Sequence, residues 1–464
     1  PDWKAAARLD ILAAYDLYRA NHTGMHDPAN PAFPAQLDRA RDAGLAYADR
    51  ATDRVGYQRA LGAFSGELQD GHAQLTLKQP ANGSAPQYLW PGFVAAWRGN
   101  GLKVHSVDGN FPLPVGTRIE ACDGKSPETF LKEKLLILNF RWREAGDWWF
   151  RAPRAFRPLL GAADKLEKCT FVRPNGKRET LALKWSPAPG DMDERLNRAT
   201  DGERTPIGLT EPRPGLFLIG LPDFQPDAEG RKAYDALFAA LKERQTELAK
   251  AKALVIDLRY NNGGSSSWSR RTANALWGEA AVEVRMAAFF KDVSIWWRAS
   301  EGNTKYVAEL GPELRRNGSP DIADAVDRIA MGMKEALAKK QPFYVEEDEA
   351  QAQVSAKPET PFVTPVYVIT PGRCGSACLD ALDAFTRFQN VKLIGAPTSA
   401  DSAYMEIRSQ DLPSGEGRIV IPNKMWVGKP RKASEVYRPQ IEVDDLDWST
   451  ATFLDRIERD LASR

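Results

Sequence analysis

Cysteine is scarce in this sequence, which has only four cysteines among its 464 residues. Cys122, Cys169, Cys374 and Cys378 are too few for a disulfide scaffold, and they lack the paired spacing of a structural zinc site. Cys122 and Cys169 could pair within one small domain, but free buried thiols are the expectation at all four positions. Cysteine usage therefore leaves the redox compartment of the protein open.

Histidine is equally rare, with four residues in the whole chain. His22 and His26 are four residues apart, a spacing that can align two metal ligands on a helix. Thr23 and Gly24 between them break such a helix. We therefore expect no metal site.

The chain also lacks a long hydrophobic run and an excess of charge of one sign. No stretch approaches the apolar length of a membrane-spanning helix. The 63 basic and 62 acidic side chains give a formal net charge of +1, which offers no field for nucleic acid or an anionic membrane. The start at Pro1, without Met or a signal-peptide pattern, suggests a trimmed or processed chain, in which a removed export signal would be invisible.

What is present predicts a globular protein of two or three domains, since 43% of the residues are hydrophobic and 27% charged. Helical periodicity dominates residues 1–80, with Tyr57, Leu61, Phe64 and Leu68 as one buried stripe that ends at Asp70-Gly71. Short β-type runs follow over residues 85–187, and a loop rich in Pro, Gly and Arg reads as a linker up to Pro214. Residues 188–464 are predicted to form an α/β core, interrupted by an insertion at about 287–364.

The α/β assignment depends on the segment from Leu216 to Leu258. A strand, an amphipathic helix and a continuous apolar strand follow each other there, which is typical of a parallel βαβ unit buried on both faces. The second strand leads into Asp257-Leu-Arg-Tyr-Asn-Asn-Gly-Gly264. Two glycines after a buried strand let the backbone approach a ligand and turn N–H groups toward it, as an oxyanion hole requires.

A second segment, Tyr367 to Cys378, places Ser376 where a strand ends and a helix begins. Such a position exposes a hydroxyl near free backbone donors and a favourable helix dipole. The N–H of Ala377 could then join that of Gly263 or Gly264 to hold an oxyanion. An N-cap serine without chemistry is the simpler alternative for this segment alone.

These two segments resemble the "Asp-Leu-Arg-x-Asn-x-Gly-Gly" and "Ser-Ala" signatures of the tail-specific (C-terminal processing) serine peptidases. Residues 113–127 are in turn similar to one stretch of PDZ domains. The resemblance implies a spiral ClpP/crotonase-like core, a PDZ-like domain at 85–187 that binds extended peptide ends, and a nucleophilic Ser376. It also implies a peptide or protein substrate, no cofactor, and a periplasmic or secreted location.

A serine nucleophile needs a base. Asp401 stands about where many members of the family carry a lysine. Leu68-Gln-Asp-Gly-His72 instead resembles the "Leu-x-Asp-x-His" motif of the branch that contains tricorn core peptidases and the interphotoreceptor retinoid-binding repeats. That likeness implies His72 as base and, from the closing motif around Pro439, Glu435 as the carboxylate that orients it.

Two alternatives use the same fold. The interphotoreceptor repeats bind retinoids and fatty acids, and aromatic pairs such as Trp148-Trp149 and Trp296-Trp297 would suit a hydrophobic ligand. An esterase would use the same triad as a peptidase. A retained Ser, His and Glu favours catalysis over binding alone.

Overall fold

The computed structural model describes residues 1–78, 86–160, 165–316, 320–346 and 362–463. Helices and sheets alternate along this part of the chain, so the predicted α/β class is confirmed. No helix within these ranges is long and apolar enough to cross a membrane.

Three helices form the N-terminal region: α1 (Trp3–Asn21), α2 (Phe33–Ala48) and α3 (Arg54–Leu68). The carboxylates of Asp2 and Asp53 accept backbone N–H groups in the first turns of α1 and α3, which caps both helices. The predicted apolar stripe of α3 is confirmed, since all four of its side chains are buried. They pack into one cluster with the inner faces of α1 and α2.

Helix α3 ends two residues earlier than predicted. Gln69, rather than Gly71, takes the left-handed conformation after the helix, with φ of 51°. Its side-chain amide donates to the carbonyl oxygen of Gly66 at 2.6 Å, which occupies one free carbonyl at the helix end. The chain then passes through His72 into the short strand β1 (Leu75–Leu77).

The next region is rich in strands. Its elements are β2 (Leu89–Trp90), β3 (Phe93–Arg98), β4 (Gly101–Val107), β5 (Arg118–Cys122), α4 (Pro127–Lys134), α5 (Ala145–Arg151), β6 (Lys168–Val172), β7 (Arg178–Ala182) and β8 (Ser186–Pro187). Strands β3 to β7 form one antiparallel sheet in chain order. Cys122 and Cys169 are directly opposite each other on β5 and β6 and form a disulfide. The expectation of free thiols was therefore wrong here, because cross-strand register had brought the two residues together.

The predicted linker up to Pro214 is also wrong, because this segment is folded. It contains the helix α6 (Met192–Asp201) and the strand β9 (Gly208–Arg213). Met192, Leu196 and Ala199 of α6 pack against β3, so the helix has a buried face. The many charged residues on its other face concealed that periodicity in the sequence.

The following segment begins the core and the predicted insertion. Its elements are β10 (Leu216–Gly220), α7 (Ala228–Glu243), α8 (Gln245–Leu248), β11 (Ala253–Asp257), α9 (Ser267–Trp277), α10 (Glu279–Phe290), β12 (Ser294–Arg298), α11 (Glu301–Arg316), α12 (Pro320–Ala338) and β13 (Phe343–Val345). The last part of the predicted insertion, 347–361, lies outside the described residues. Residues 317–319 also lie outside the described residues, and the described part of the insertion is structured, since β12 pairs with both β13 and a later strand of the core.

The remaining elements are β14 (Val366–Thr370), α13 (Ala377–Phe385), β15 (Val391–Gly395), β16 (Tyr404–Asp411), β17 (Gly417–Val427), β18 (Ile441–Glu442) and α14 (Thr450–Ala462). The central sheet has the strand order β18-β15-β14-β11-β10-β9 and is parallel except for β9. A second sheet joins β16 and β17 to β1, β12 and β13. It links the N-terminal helices to the core, because its buried residues pack against α1 and α3.

The central sheet is buried on both faces, as the continuous apolar strands predict. All five residues of β11 and of β14 are buried. Leu254 and Ile256 face the helices α7, α9 and α13, whereas Val255 faces α14 and the antiparallel sheet. The carboxyl ends of β11 and β14 are neighbours, which brings the two sequence motifs to one edge of the sheet.

Candidate active site

Ser376 lies at the turn between β14 and α13. Its φ of 51° and ψ of −129° are unusual for a residue with a side chain, and such positions persist only where the surroundings hold them. Its N–H donates to Oδ1 of Asp401 at 3.0 Å, and its carbonyl oxygen accepts the N–H groups of Leu379 and Asp380. The half-buried serine is therefore fixed on both sides of its backbone in a strained turn.

A disulfide between Cys374 and Cys378 encloses Ser376. The expectation of two free thiols was wrong at this pair as well. The five-residue segment reverses direction at the start of α13, so the two side chains meet on the buried side of the turn, where both cysteines are fully covered. The disulfide thus ties the strand side of the nucleophile turn to the first turn of the helix.

The glycine pair after β11 lies directly against this turn. Gly263 and Gly264 have φ of 97° and 130°, a region that favours glycine. A Cβ added to Gly263 would lie 2.9 Å from Cβ of Ser376 and 3.2 Å from the backbone nitrogen of Ala377. Gly263 therefore lies directly beside Ser376 and Ala377, and any side chain at Gly263 would push the nucleophile turn away.

The N–H of Gly263 is already used, since it donates to Oδ1 of Asn261 at 2.9 Å. Ala377 is the first residue of α13 and is buried. The N–H groups of Gly264 and Ala377 are consequently the better candidates for an oxyanion hole among the three residues predicted.

A cleft of about 500 Å³ opens in front of Ser376. The two glycines form one wall, and polar or charged side chains form most of the rest, among them Arg204, Asp223 and Arg373. Arg373 is paired with Asp201 at 2.5 Å. A polar, open cleft beside a strained serine suits a peptide backbone better than an apolar ligand.

His72 lies near this turn through a chain of polar contacts. Its backbone N–H donates to Oδ1 of Asp70 at 2.8 Å, and the same oxygen accepts the hydroxyl of Ser402 at 2.9 Å. Ser402 follows Asp401, which holds the backbone of Ser376. The loop at 401–402 therefore contacts both the histidine loop and the nucleophile turn.

The two reactive side chains are not yet joined in this structure. Within the described ranges, no hydrogen bond connects the His72 ring to Ser376, and Nδ1 of His72 is buried without a partner. The nearest described carboxylate is that of Asp70, whose Oδ1 is 4.0 Å from Nδ1. Burial raises the pKa of Asp70, and the charge of a protonated His72 would lower it. In resting enzymes such catalytic contacts are often long and tighten when substrate binds.

Glu435, the predicted orienting carboxylate, does not contact the His72 ring in the described part of the chain. Its side chain is exposed, and its Oε2 accepts the backbone N–H of Lys432 at 2.8 Å. The structure places Asp70, and not Glu435, next to the histidine.

Several residues at the site carried no clear local signal in the sequence. Arg141 donates to the carbonyl oxygen of Ala400 at 3.0 Å and to the hydroxyl of Ser399 at 2.8 Å. Glu144 accepts from Ser399 and from the N–H of Ala400, and burial raises its pKa to about 7. Both belong to a segment far from the motifs, so only the tertiary fold brings them to the loop that carries Asp401.

The comparisons with known proteins concern the core and the overall fold. Residues 216–433 match the model of peptidase family S41. No curated protein is significantly similar in sequence. Mature CPAF has a similar solved structure, with a TM-score of 0.63 and 13% identity over 98% of this chain and 96% of that chain. The structure of mature CPAF complexed with lactacystin is also similar, with a TM-score of 0.62 and 12% identity over 99% of this chain and 98% of that chain. At such identities the likeness to solved structures shows the fold alone, and residues 216–433 of the core are similar to peptidase family S41.

Proposed function

We propose that the protein is a serine peptidase that cleaves unfolded or C-terminal segments of polypeptides, with Ser376 as nucleophile. The observation that carries the proposal is the strained turn of Ser376, enclosed by a disulfide and covered by Gly263. Strain of this kind costs about 1–3 kcal/mol per residue and persists where it has a function. A serine that only capped a helix would need none of it.

In the proposed reaction, the hydroxyl oxygen of Ser376 attacks the peptide carbonyl while His72 accepts the hydroxyl proton. The N–H groups of Gly264 and Ala377 hold the oxyanion, and His72 then gives its proton to the leaving amine. Water then attacks the acyl-enzyme while His72 accepts a proton from it. His72 returns this proton to the oxygen of Ser376 as the carboxylic acid product leaves. Asp70 is the carboxylate that the contacts favour for orienting the imidazole, whereas Glu435 would first have to leave Lys432.

The alternative of a hydrophobic-ligand binder has less support, because the aromatic pairs pack into the interior. Trp149 packs against Trp448 at 5.2 Å and Trp148 against Trp97 at 4.9 Å. Trp297 is 5% exposed and belongs to the cluster around α11 and α12. These rings stabilise the fold and do not line the cleft at Ser376.

The two disulfides support a location in an oxidising compartment, such as the periplasm or the extracellular space. A PDZ-like role for the β3 to β7 sheet is a further part of the proposal. The sheet would bind a part of the polypeptide substrate that is remote from Ser376. This contributes binding energy that a small ester cannot use.

Labelling with a fluorophosphonate probe tests the proposal. We expect covalent modification at Ser376, mapped by mass spectrometry, because a serine with a base and oxyanion donors reacts far faster than a surface serine. Ser376→Ala should abolish labelling, and Ser265→Ala, an exposed serine next to Gly264, should leave it intact. Labelling that persists in Ser376→Ala would overturn the assignment of the nucleophile.

A further inference from the structure

A second cleft, of about 380 Å³, lies between the N-terminal helices and the strand-rich region. Helix α3 and the end of β1 form one side, and segments after α4 and α5 form the other. None of the residues at the candidate active site lines it. The proposed reaction therefore gives no reason for its composition.

The cleft concentrates positive charge. Its lining includes four arginines and three lysines: Arg54, Arg59, Lys78, Lys134, Arg154, Arg157 and Lys165. Among the residues that the structure describes, no acidic side chain lines it. Lys78 is paired with Asp411 at 2.6 Å and Arg157 with Asp193 at 2.5 Å, both from outside the lining. Because the whole chain has a formal net charge of only +1, this is a local feature and not a property of the overall composition.

The floor of the cleft is apolar. Leu77, Ile137, Leu138 and Leu166 contribute to it, and the guanidinium of Arg157 covers the ring of Tyr88 at 3.9 Å. A small inorganic anion would leave this apolar surface unused. A polypeptide segment that mixes acidic and apolar side chains would use both the cations and the floor.

One aromatic ring contacts an arginine from each of the two clefts. Arg154 lines the first cleft and lies over the ring of Phe150 at 4.3 Å. Arg373 lines the second and lies over the same ring at 4.5 Å. Burial, and after it the charge of Arg373, lowers the pKa of Arg154 to about 10. Arg154 of the first cleft and Arg373 of the second are therefore close to each other at the Phe150 ring.

We propose that the cationic cleft docks an acidic, extended segment of the polypeptide substrate, whose chain continues past Arg373 to Ser376. This inference rests on the proposed peptidase function and names the substrate class. Acidic side chains of the substrate would pair with the arginines and lysines that line the cleft, and its apolar side chains would cover the apolar floor. Docking at a distance from the reacting groups gives selectivity for long acidic polypeptides over short ones.

Binding to the inactive Ser376→Ala protein tests the docking separately from catalysis. A fluorescent peptide that alternates Glu and Leu should bind at least about tenfold more tightly, by fluorescence anisotropy, than the same peptide with Gln for Glu. Its Kd should rise at least about fivefold when NaCl is raised from about 50 to about 500 mM, because salt screens the charges. Equal affinity for the two peptides would overturn the proposal.

Charge reversal locates the binding. In the Ser376→Ala background, Lys134→Glu with Lys165→Glu should raise the Kd for the acidic peptide at least about tenfold. The control, Lys305→Glu with Lys334→Glu on exposed positions of α11 and α12, makes the same change in net charge and should alter the Kd less than about twofold. If thermal unfolding shows that the first variant is destabilised, Lys134→Gln with Lys165→Gln replaces it, with a loss of affinity of at least about threefold.

Equal losses of affinity in cleft and control variants, or binding of anionic lipid vesicles or inorganic phosphate without binding of the peptide, would contradict the proposal. Neither result would affect the labelling of Ser376, so the two proposals fail independently.

Discussion

At the scale of single residues, the orientation of His72 is the open chemical choice, because two carboxylates compete for it. Asp70 already lies 4.0 Å from Nδ1 and is buried, while Glu435 is exposed and bonded to the backbone of Lys432. A carboxylate bonded to a catalytic imidazole fixes its tautomer and stabilises its charged form. Substitutions that remove the charge of each carboxylate but keep its volume show which of the two residues orients His72.

We expect Asp70→Asn to lower kcat/KM at least about tenfold, because the amide keeps the acceptor oxygen but cannot stabilise imidazolium. Glu435→Gln should change kcat/KM by less than about threefold, as is usual for an exposed residue. Steady-state hydrolysis of a peptide substrate measures both. The opposite ranking would show that Glu435 moves to His72 in the active enzyme.

We expect the buried His22 to contribute to the acid sensitivity of the fold. It is fully buried against Phe33, its Nδ1 accepts the N–H of Gly24, and burial lowers its pKa from 6.5 to about 3. A histidine whose pKa is lower in the folded state stabilises the protein above pH 6.5 and loses this contribution as the pH falls towards 3. At pH 5 the expected loss is about 2 kcal/mol, at about 1.4 kcal/mol per pH unit.

Urea denaturation at pH 7 and pH 5 measures this effect. In His22→Asn, which keeps an acceptor for Gly24 but does not titrate, the free energy of unfolding should fall by about 2 kcal/mol less between these pH values than in the wild type. His26→Asn, at an exposed position, should keep most of the wild-type dependence. An unchanged pH dependence in His22→Asn would show that His22 becomes protonated in the folded state without cost.

At the scale of elements, the junction of β14 and α13 is the part of the fold on which the proposed chemistry depends. The disulfide fixes Cys374 to the first turn of α13, and Ser376 lies between them at a positive φ. Without this connection, the strained residue could relax towards ordinary backbone angles and move its hydroxyl away from the glycine pair. The disulfide at β5 and β6 has no such relation to the site.

We therefore expect the double change Cys374→Ser with Cys378→Ser to lower kcat at least about fivefold, while KM changes less, because the loss is in nucleophile geometry. The matched control is Cys122→Ser with Cys169→Ser, which should lower thermal stability but leave kcat within about twofold. Peptide hydrolysis and thermal unfolding of the two variants provide the comparison. Full activity without the Cys374 to Cys378 disulfide would mean that the contacts of Asp401 and Gly263 suffice to hold Ser376.

At the scale of the whole molecule, the sequence predicted local structure better than contacts between distant segments. The α3 stripe, the buried βαβ strands and the approach of Gly263 to Ser376 all follow from short patterns with a physical cause. Both disulfides were missed, because each depends on tertiary placement, and α6 was missed because its charged face hides its period. The contacts of Asp70 with Ser402 and of Arg141 with Ala400 join residues 332 and 259 positions apart, which no local pattern records.

The central claim, that Ser376 is activated by His72, is tested most directly by the kinetics of Ser376→Ala, His72→Ala and the double variant on one peptide substrate. Members of one catalytic relay fail as a unit, so each single change should lower kcat/KM by similar factors, within about tenfold of each other. The kcat/KM of the double variant should then be no more than about threefold below that of the less active single variant. Near-normal kcat/KM in a folded His72→Ala protein would contradict the account.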